Sequence, residues 1–192
     1  MGAATLEALE PFGRSGPDRL GASFFGLGKR TCSRGGQRTG PNPTDKGKSG
    51  SKRHVVVDRR GVPLAVTHSA ANVHDSKVLE EAVDAIEPIR KPHGRPRKRP
   101  KKLHADNKGY DFPRCRKALR KRGITPRIAR RGIESSERLG RYRWVVERTL
   151  LSWLNRYRRR LKVRYERRED IHQAFLELGS ALICWRYVQR FC

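Results

Sequence analysis

From about His54 onward the chain alternates between short apolar runs and polar turns, in two different periods. RHVVVD and VPLAVTHS are compact and β-branched, and DRRG at 58–61 between them suits a four-residue turn ending in glycine, so this stretch predicts a hairpin. Asp58 then serves the turn itself. ANVHDSKVLEEAVDAI changes to spacings of three and four: Val78, Leu79, Ala82, Val83 and Ile86 share a helix face, Asp75 and Ser76 stand at its capping positions, and Pro88 stops it. KKLHADNKGYDFPRCRKALRKRG, residues 101–123, reads as a short extended segment ending at Asp106, a turn and an amphipathic helix. ITPRIAR at 124–130 is a further extended segment, and strand, helix, strand in that order predicts a parallel pair with a right-handed crossover.

Two helices follow. YRWVVERTLLSWLNRYRRRL, from about Arg141, lines up Tyr142, Val146, Leu150, Trp153 and Tyr157, with Arg143, Glu147, Leu151 and Leu154 on a neighbouring line. EDIHQAFLELGSALICWRYVQRF places Ile171, Ala174, Phe175, Leu178, Leu182, Trp185 and Val188 on its expected inner face. Residues 1–50 lack such patterning. Their apolar pieces, ATLEALEPF and ASFFGL, suit a helical turn or two, and GGQRTGPNPTDKGKSGSKRH reads either as a flexible basic loop lying on DNA or as a solvated linker.

Charge changes this picture more than length does. The 192 residues suffice for one domain, but 45 Lys and Arg stand against 19 Asp and Glu, a formal charge of +26. That excess calls for a polyanion. Nucleic acid is favoured over a membrane, because no apolar run approaches the roughly 20 residues that span a bilayer. Cations placed for phosphates are Lys46, Lys48, Lys52 and Arg53 in the first basic stretch, Arg95, Arg97, Lys98 and Arg99 in the Pro-rich run, and Arg130 and Arg131 at the end of the last extended segment. A solvated connector is the competing reading of the Pro-rich run. The cysteines, Cys32, Cys115, Cys184 and Cys192, form no CxxC pair and predict reduced thiols in a cytoplasmic protein.

Asp106 stands where a strand meets a loop, a place that serves turns and capping as well as function. Glu147 lies in an aromatic and β-branched helix; it either pairs with Arg143 at i,i+4 or joins Asp106 in binding a hard divalent cation, Mg²⁺ or Mn²⁺. Asp75 likewise reads as a cap or as a contact to metal or DNA. The residues alone leave these alternatives open.

Taken together, GPNPTDKGKSGSKRHVVVD, GVPLAVTHSAANVHDS, HADNKGYD, RIARRG, LGRYRWVVER with TLLSWL, and YERREDIHQAFLELGSALICWR resemble bacterial insertion-sequence transposases of the DDE type. The resemblance covers about residues 38–190. It implies a ribonuclease H-like α/β fold and double-stranded DNA, namely transposon ends, as partner, with self-association left open and a cytoplasmic, nucleoid-associated location. It also implies a two-metal site of Mg²⁺ or Mn²⁺ held by two aspartates and a glutamate, for DNA cleavage and strand transfer. Asp106 matches the second acid and Glu147 the third, with Arg143 as the arginine of the R-x-x-x-E motif. Tyr110 and Asp111 follow the second acid, and Asn72 and Asp75 match a segment whose implied role is positioning.

The family's first aspartate lies on the first core strand, shortly before the GPNPTD loop. Here FFGLGKRTCSRGGQR stands in its place, with no Asp between Asp18 and Asp45. HADNKGYD also carries one residue more than the family pattern. The expectation is an incomplete ribonuclease H-like mixed sheet whose first core strand is missing or replaced, with a poorly ordered or non-homologous segment at 1–37 and a catalytic-domain remnant at 38–190. Such a chain binds DNA and is inactive alone; a non-catalytic competitor of intact transposase and a structural RNA-binding protein are the alternatives.

Overall fold

A computed structural model describes residues 21–89, 95–105, 108–130, 132, 144–157 and 159–191. The strands β1 (Ser23–Thr31), β2 (Gly40–Pro41), β3 (Ser49–Val57), β4 (Pro63–Ala70), β5 (Lys102–Ala105) and β6 (Thr125–Ile128) form one mixed sheet. β3 has β1 on one side and β4 with the short β2 on the other, all antiparallel. β1 pairs in parallel with β5, and β5 with β6, the latter pair joined through a helix as the sequence predicts. This is the mixed α/β arrangement expected of the chain, with helices packed on both faces of the sheet.

One expectation is corrected. The first core strand is neither missing nor replaced: SFFGLGKRT is β1, in the middle of the sheet. Gly26 and Gly28 lower its strand propensity and interrupt its apolar alternation, so the sequence conceals it. Pairing on both sides supplies what propensity lacks, from Phe24↔Val57 to Thr31↔Gly50 on β3 and from Ser23↔Leu103 to Phe25↔Ala105 on β5. The following basic stretch is also structured. Around Asn42 the chain closes a tight turn from β2 into β3, with the Asn42 N–H donating to the Lys48 carbonyl at 2.9 Å and Lys46 and Gly47 at φ 47° and 73°. Order therefore begins well before His54.

Strand alternation divides the core in two. Phe25, Val56, Leu103 and Ala105 face α1 (Leu79–Asp84) and α2 (Pro113–Lys121), which bring in Leu79, Val83, Cys115 and Leu119. Arg122, just after α2, binds Asp84 at 2.7 Å and Glu80 at 3.1 Å, tying these two helices together. Phe24, Val55, Val57 and Val66 face the C-terminal helices. There the helix passes through a π-helical segment, Arg148–Trp153, into α3 (Leu154–Tyr157), followed by α4 (Arg159–Lys162) and α5 (Glu169–Phe191).

Helix α5 is turned away from its predicted face. His172, Leu176, Ser180, Ile183 and Cys184 are buried, whereas Ile171, Leu178 and Trp185 are exposed, Trp185 by 53%. Polar anchoring and close packing set this rotation. The Gln173 amide donates to the Val66 carbonyl at 2.7 Å and meets His68 at 2.9 Å, and Gly179 admits Leu161 and Leu154, which a Cβ there would meet at 2.8 and 3.3 Å.

Buried imidazoles make stability depend on pH. His54 bonds Ser69 at 2.8 Å, and burial, opposed by the Asp75 charge, pulls its pKa from 6.5 to about 4; burial also lowers His68 and His172. The unfolded chain thus takes up the proton first. Stability is fully present above about pH 6.5 and declines as pH falls toward 4. Urea unfolding is expected to show a loss of roughly 2 kcal/mol from His54 alone by pH 4.5. A pH-independent midpoint across this range would contradict the buried neutral state.

Candidate functional site

The candidate site lies where β1 and β5 run side by side beneath the C-terminal helices. Ala105, the last residue of β5, pairs with Phe25, and Asp106 is next in the chain. Asp106 itself lies outside the described residues, as do Arg143 and Arg131. On β1 the residue after Phe25 is Gly26. It faces the helix: a Cβ built there would run into Val146 Cγ1, with Val146 Cβ at 3.1 Å and Leu150 Cδ1 at 3.4 Å. Glu147 is the neighbour of Val146, half-buried, and the π-helical segment begins immediately after it. Such a widened turn is frequent at functional positions.

A hairpin turn fixes the height of this helix. Thr149 Oγ1 donates to the Gly61 carbonyl at 2.6 Å, and the Arg148 guanidinium donates to the Arg60 carbonyl. Gly61, at φ 80°, is needed for the approach, because a Cβ would meet Arg148 at 2.9 Å and Thr149 at 3.1 Å. Asp58 holds the turn from inside, accepting from the N–H groups of Arg60 at 2.8 Å and Val62 at 2.9 Å, the turn role its position predicts.

The other residues assigned by the family resemblance make structural contacts. Tyr110 is fully buried, its ring centroid 4.9 Å from that of Phe25. Asp111 binds Arg116 at 2.6 Å, and Arg116 also donates to the Ile128 carbonyl at 3.0 Å, which joins the start of α2 to the end of β6. Asn72 sits against Gly40, where a side chain would collide with its amide. Asp75 does not cap the helix. It pairs with Lys52 at 2.8 Å, while His74 caps the 3-10 turn Asp75–Lys77 that precedes α1, accepting from the Ser76 N–H at 3.3 Å; α1 itself has no side-chain cap.

Lys52 and Arg53 are accordingly not surface cations, contrary to the sequence reading. Lys52 is spent on Asp75 and on the Val73 carbonyl, at 2.7 Å. Arg53 is fully buried and donates to the Leu161 carbonyl at 3.0 Å, the Leu150 carbonyl at 3.4 Å and Asn155 Oδ1 at 3.0 Å. Burial, aided by the nearby Arg30 charge, brings its pKa down to about 9, so it remains protonated at neutral pH. Two basic residues in a β-branched run had no sequence signal to separate them from an exposed patch. Lys46, Lys48, Arg95, Lys98, Arg99 and Arg130 are exposed, and Arg97 is half-buried in a bridge to Ile89.

A two-metal site of the kind the resemblance implies needs a third carboxylate beside Asp106 and Glu147. β1 carries none, and at Gly26 the missing side chain's volume is occupied by Val146. The described residues do not fit a pair of divalent ions. Among the described residues, no three His, Cys, Asp or Glu side chains come together to hold a metal. Nor, among them, is any helix long and apolar enough to cross a membrane.

Over 192 aligned residues, 99% of this chain and 89% of the relative, the sequence is 49% identical to a protein described as a transposase for insertion sequence element IS402 of Burkholderia cepacia. A chain of the cryo-EM structure of the simian T-cell lymphotropic virus intasome, in complex with the PP2A regulatory subunit B56 gamma, is 14% identical with a TM-score of 0.49; the match covers 90% of this chain but spans only about half of that one, 49%. The model of the transposase DDE domain matches residues 26–184, from the β1 glycine through α5 to Cys184, and the chain belongs to that family.

Proposed function

We propose that this transposase-family chain binds double-stranded DNA at the ends of an insertion sequence and does not by itself cut it. Gly26 carries the second half of this reading. We assign it the place of the third carboxylate because it follows Phe25, the β1 partner of Ala105, and a Cβ there would run into Val146. Asp106 and Glu147 are assigned as the two remaining ancestral ligands for Mg²⁺ or Mn²⁺, with Arg143 as the arginine of the R-x-x-x-E motif. Tyr110, Asp111, Asn72 and Asp75 position the strands and loops around them. Loss of one member of such a constellation removes most of its rate, because its groups act as a unit.

Family membership and the +26 charge support the first half. Lys46, Lys48, Arg95, Lys98, Arg99 and Arg130 are the cations assigned to phosphates, and a nucleoid-associated location is proposed with them. Self-association, if it accompanies binding, has the exposed Ile171, Leu178 and Trp185 of α5 at its disposal. The test is a gel assay with duplexes carrying candidate terminal repeats and Mg²⁺ or Mn²⁺. Retention without nicking is expected, and efficient nicking that Asp106→Ala abolishes would overturn the non-cutting reading.

Replacing Arg95, Lys98 and Arg99 together with alanine should weaken binding on every sequence alike. The slope of log affinity against log salt should fall by about 0.9 for each phosphate that the variant no longer neutralises. An unchanged slope would remove this segment from the interface.

A further inference from the structure

The Pro-rich run does not stand free of the body. The Ile89 N–H donates to the Arg97 carbonyl and the Arg97 N–H to the Ile89 carbonyl, both at 2.9 Å, and Pro100 is buried, so residues 97–100 are laid back against the chain that leaves α1. There Arg99 donates to the Arg122 carbonyl at 3.4 Å, at the C-terminal end of α2, where the helix dipole favours a cation. Arg122 in turn grips Asp84 through two nitrogens, at 2.9 and 2.7 Å, and Glu80 through the third, at 3.1 Å. One guanidinium does not balance two carboxylates. The remaining negative charge faces the run: the Asp84 carboxyl is held below the usual carboxylate range by Arg122 first, and by Arg99 and Lys98 after it.

Exposure decides what kind of contact this is. Lys52 is 8% exposed on a 14% exposed Asp75, a pair closed to any ligand, whereas Asp84 is 51% exposed and Lys98 and Arg99 lie at the surface. Ion pairs so exposed are weak and screened by salt, and DNA offers these cations a negative charge about every 1.7 Å. Phosphates can therefore displace the carboxylates. We propose that Asp84, Glu80 and the Arg122 carbonyl form a latch that holds Lys98 and Arg99 in the free protein, and that duplex DNA engages these two cations by taking them from it. The proposal rests on the DNA-binding reading of the Pro-rich run and adds its regulation. A polyanion of low charge density displaces the latch poorly, so the free chain keeps these two cations covered until a duplex is at hand.

The test is fluorescence anisotropy of the full chain with one labelled duplex at fixed salt. Asp84→Asn is expected to tighten binding by about threefold more than Glu177→Gln, which removes the same charge from α5 on the other face of the sheet. Adding Lys98→Ala and Arg99→Ala should abolish this excess, because nothing is then left to release. An excess that survives in that background belongs to Arg122 or to net charge and overturns the latch, as does a gain no larger than that of Glu177→Gln. Thermal melts confirm folding; where Asp84→Asn fails to fold, Glu80→Gln takes its place with the same expectations. If Lys98→Ala with Arg99→Ala weakens binding but the excess is absent, the latch falls and the DNA contact stands. If that pair of substitutions leaves the affinity of the otherwise unchanged protein as it was, the run is no DNA contact and both readings of it fall together.

Discussion

Replacing Gly26 with aspartate is expected to destabilise the protein by about 3 kcal/mol or more and to leave it unable to nick DNA. The new side chain would meet Val146 Cγ1 directly, an overpacking cost of about 1–3 kcal/mol, and would bring a carboxylate under an apolar helix face, which adds to it. For a chain of this size the melting temperature should fall by roughly 10 °C. Val146→Ala opens the same space. In the double variant Gly26→Asp with Val146→Ala, part of the loss should return, giving a coupling of about 1 kcal/mol or more in a denaturation cycle. Strict additivity would show that Val146 is not what closes the site.

Arg53→Ala should cost about 3–5 kcal/mol, measured by urea unfolding, and should leave DNA affinity and its salt slope unchanged in whatever fraction remains folded. The substitution leaves the Leu161 and Leu150 carbonyls and Asn155 Oδ1 without this donor and opens a large cavity next to β3. One of these acceptors, Leu150, lies in the π-helical segment and the other carbonyl, Leu161, in α4, so a strand residue is holding two helical pieces in place. A stable Arg53→Ala protein with weakened DNA binding would instead return Arg53 to the surface patch that its sequence neighbourhood suggests.

Much of the fold was legible because local patterns agreed with the global one. VVVD and PLAVTHS alternate as paired strands do, and Cys115, Ala118 and Leu119 mark the inner side of α2 without ambiguity. Where tertiary contacts decided, the pattern misled. β1 has glycines because a helix lies on it, and α5 turns His172 and Ser180 inward because neighbouring polar groups and Gly179 fix its rotation. The same holds for the site. Asp106 and Glu147 are assigned through the family motif, but Lys52 looks like a DNA contact until its pair with Asp75 is seen. Proposing Gly26 as the place of the third acid rests on the β1 to β5 register, which no spacing in the sequence reveals. The seat of Lys98 and Arg99 joins the Pro-rich run to Asp84 and Arg122, and no motif announced it.

The central place of β1 also sets a problem for the chain as it is made. Ser23 pairs with Leu103, so at roughly 5–20 residues per second β1 leaves the ribosome on the order of ten seconds or less before its parallel neighbour. Its antiparallel partner β3 arrives much earlier. Until β5 is synthesised, the growing chain presents one open strand edge next to Phe24 and Phe25, a template for pairing with another nascent chain. Gly26, Gly28, Lys29 and Arg30 on that edge weaken and charge it, which favours waiting for the correct partner over aggregation.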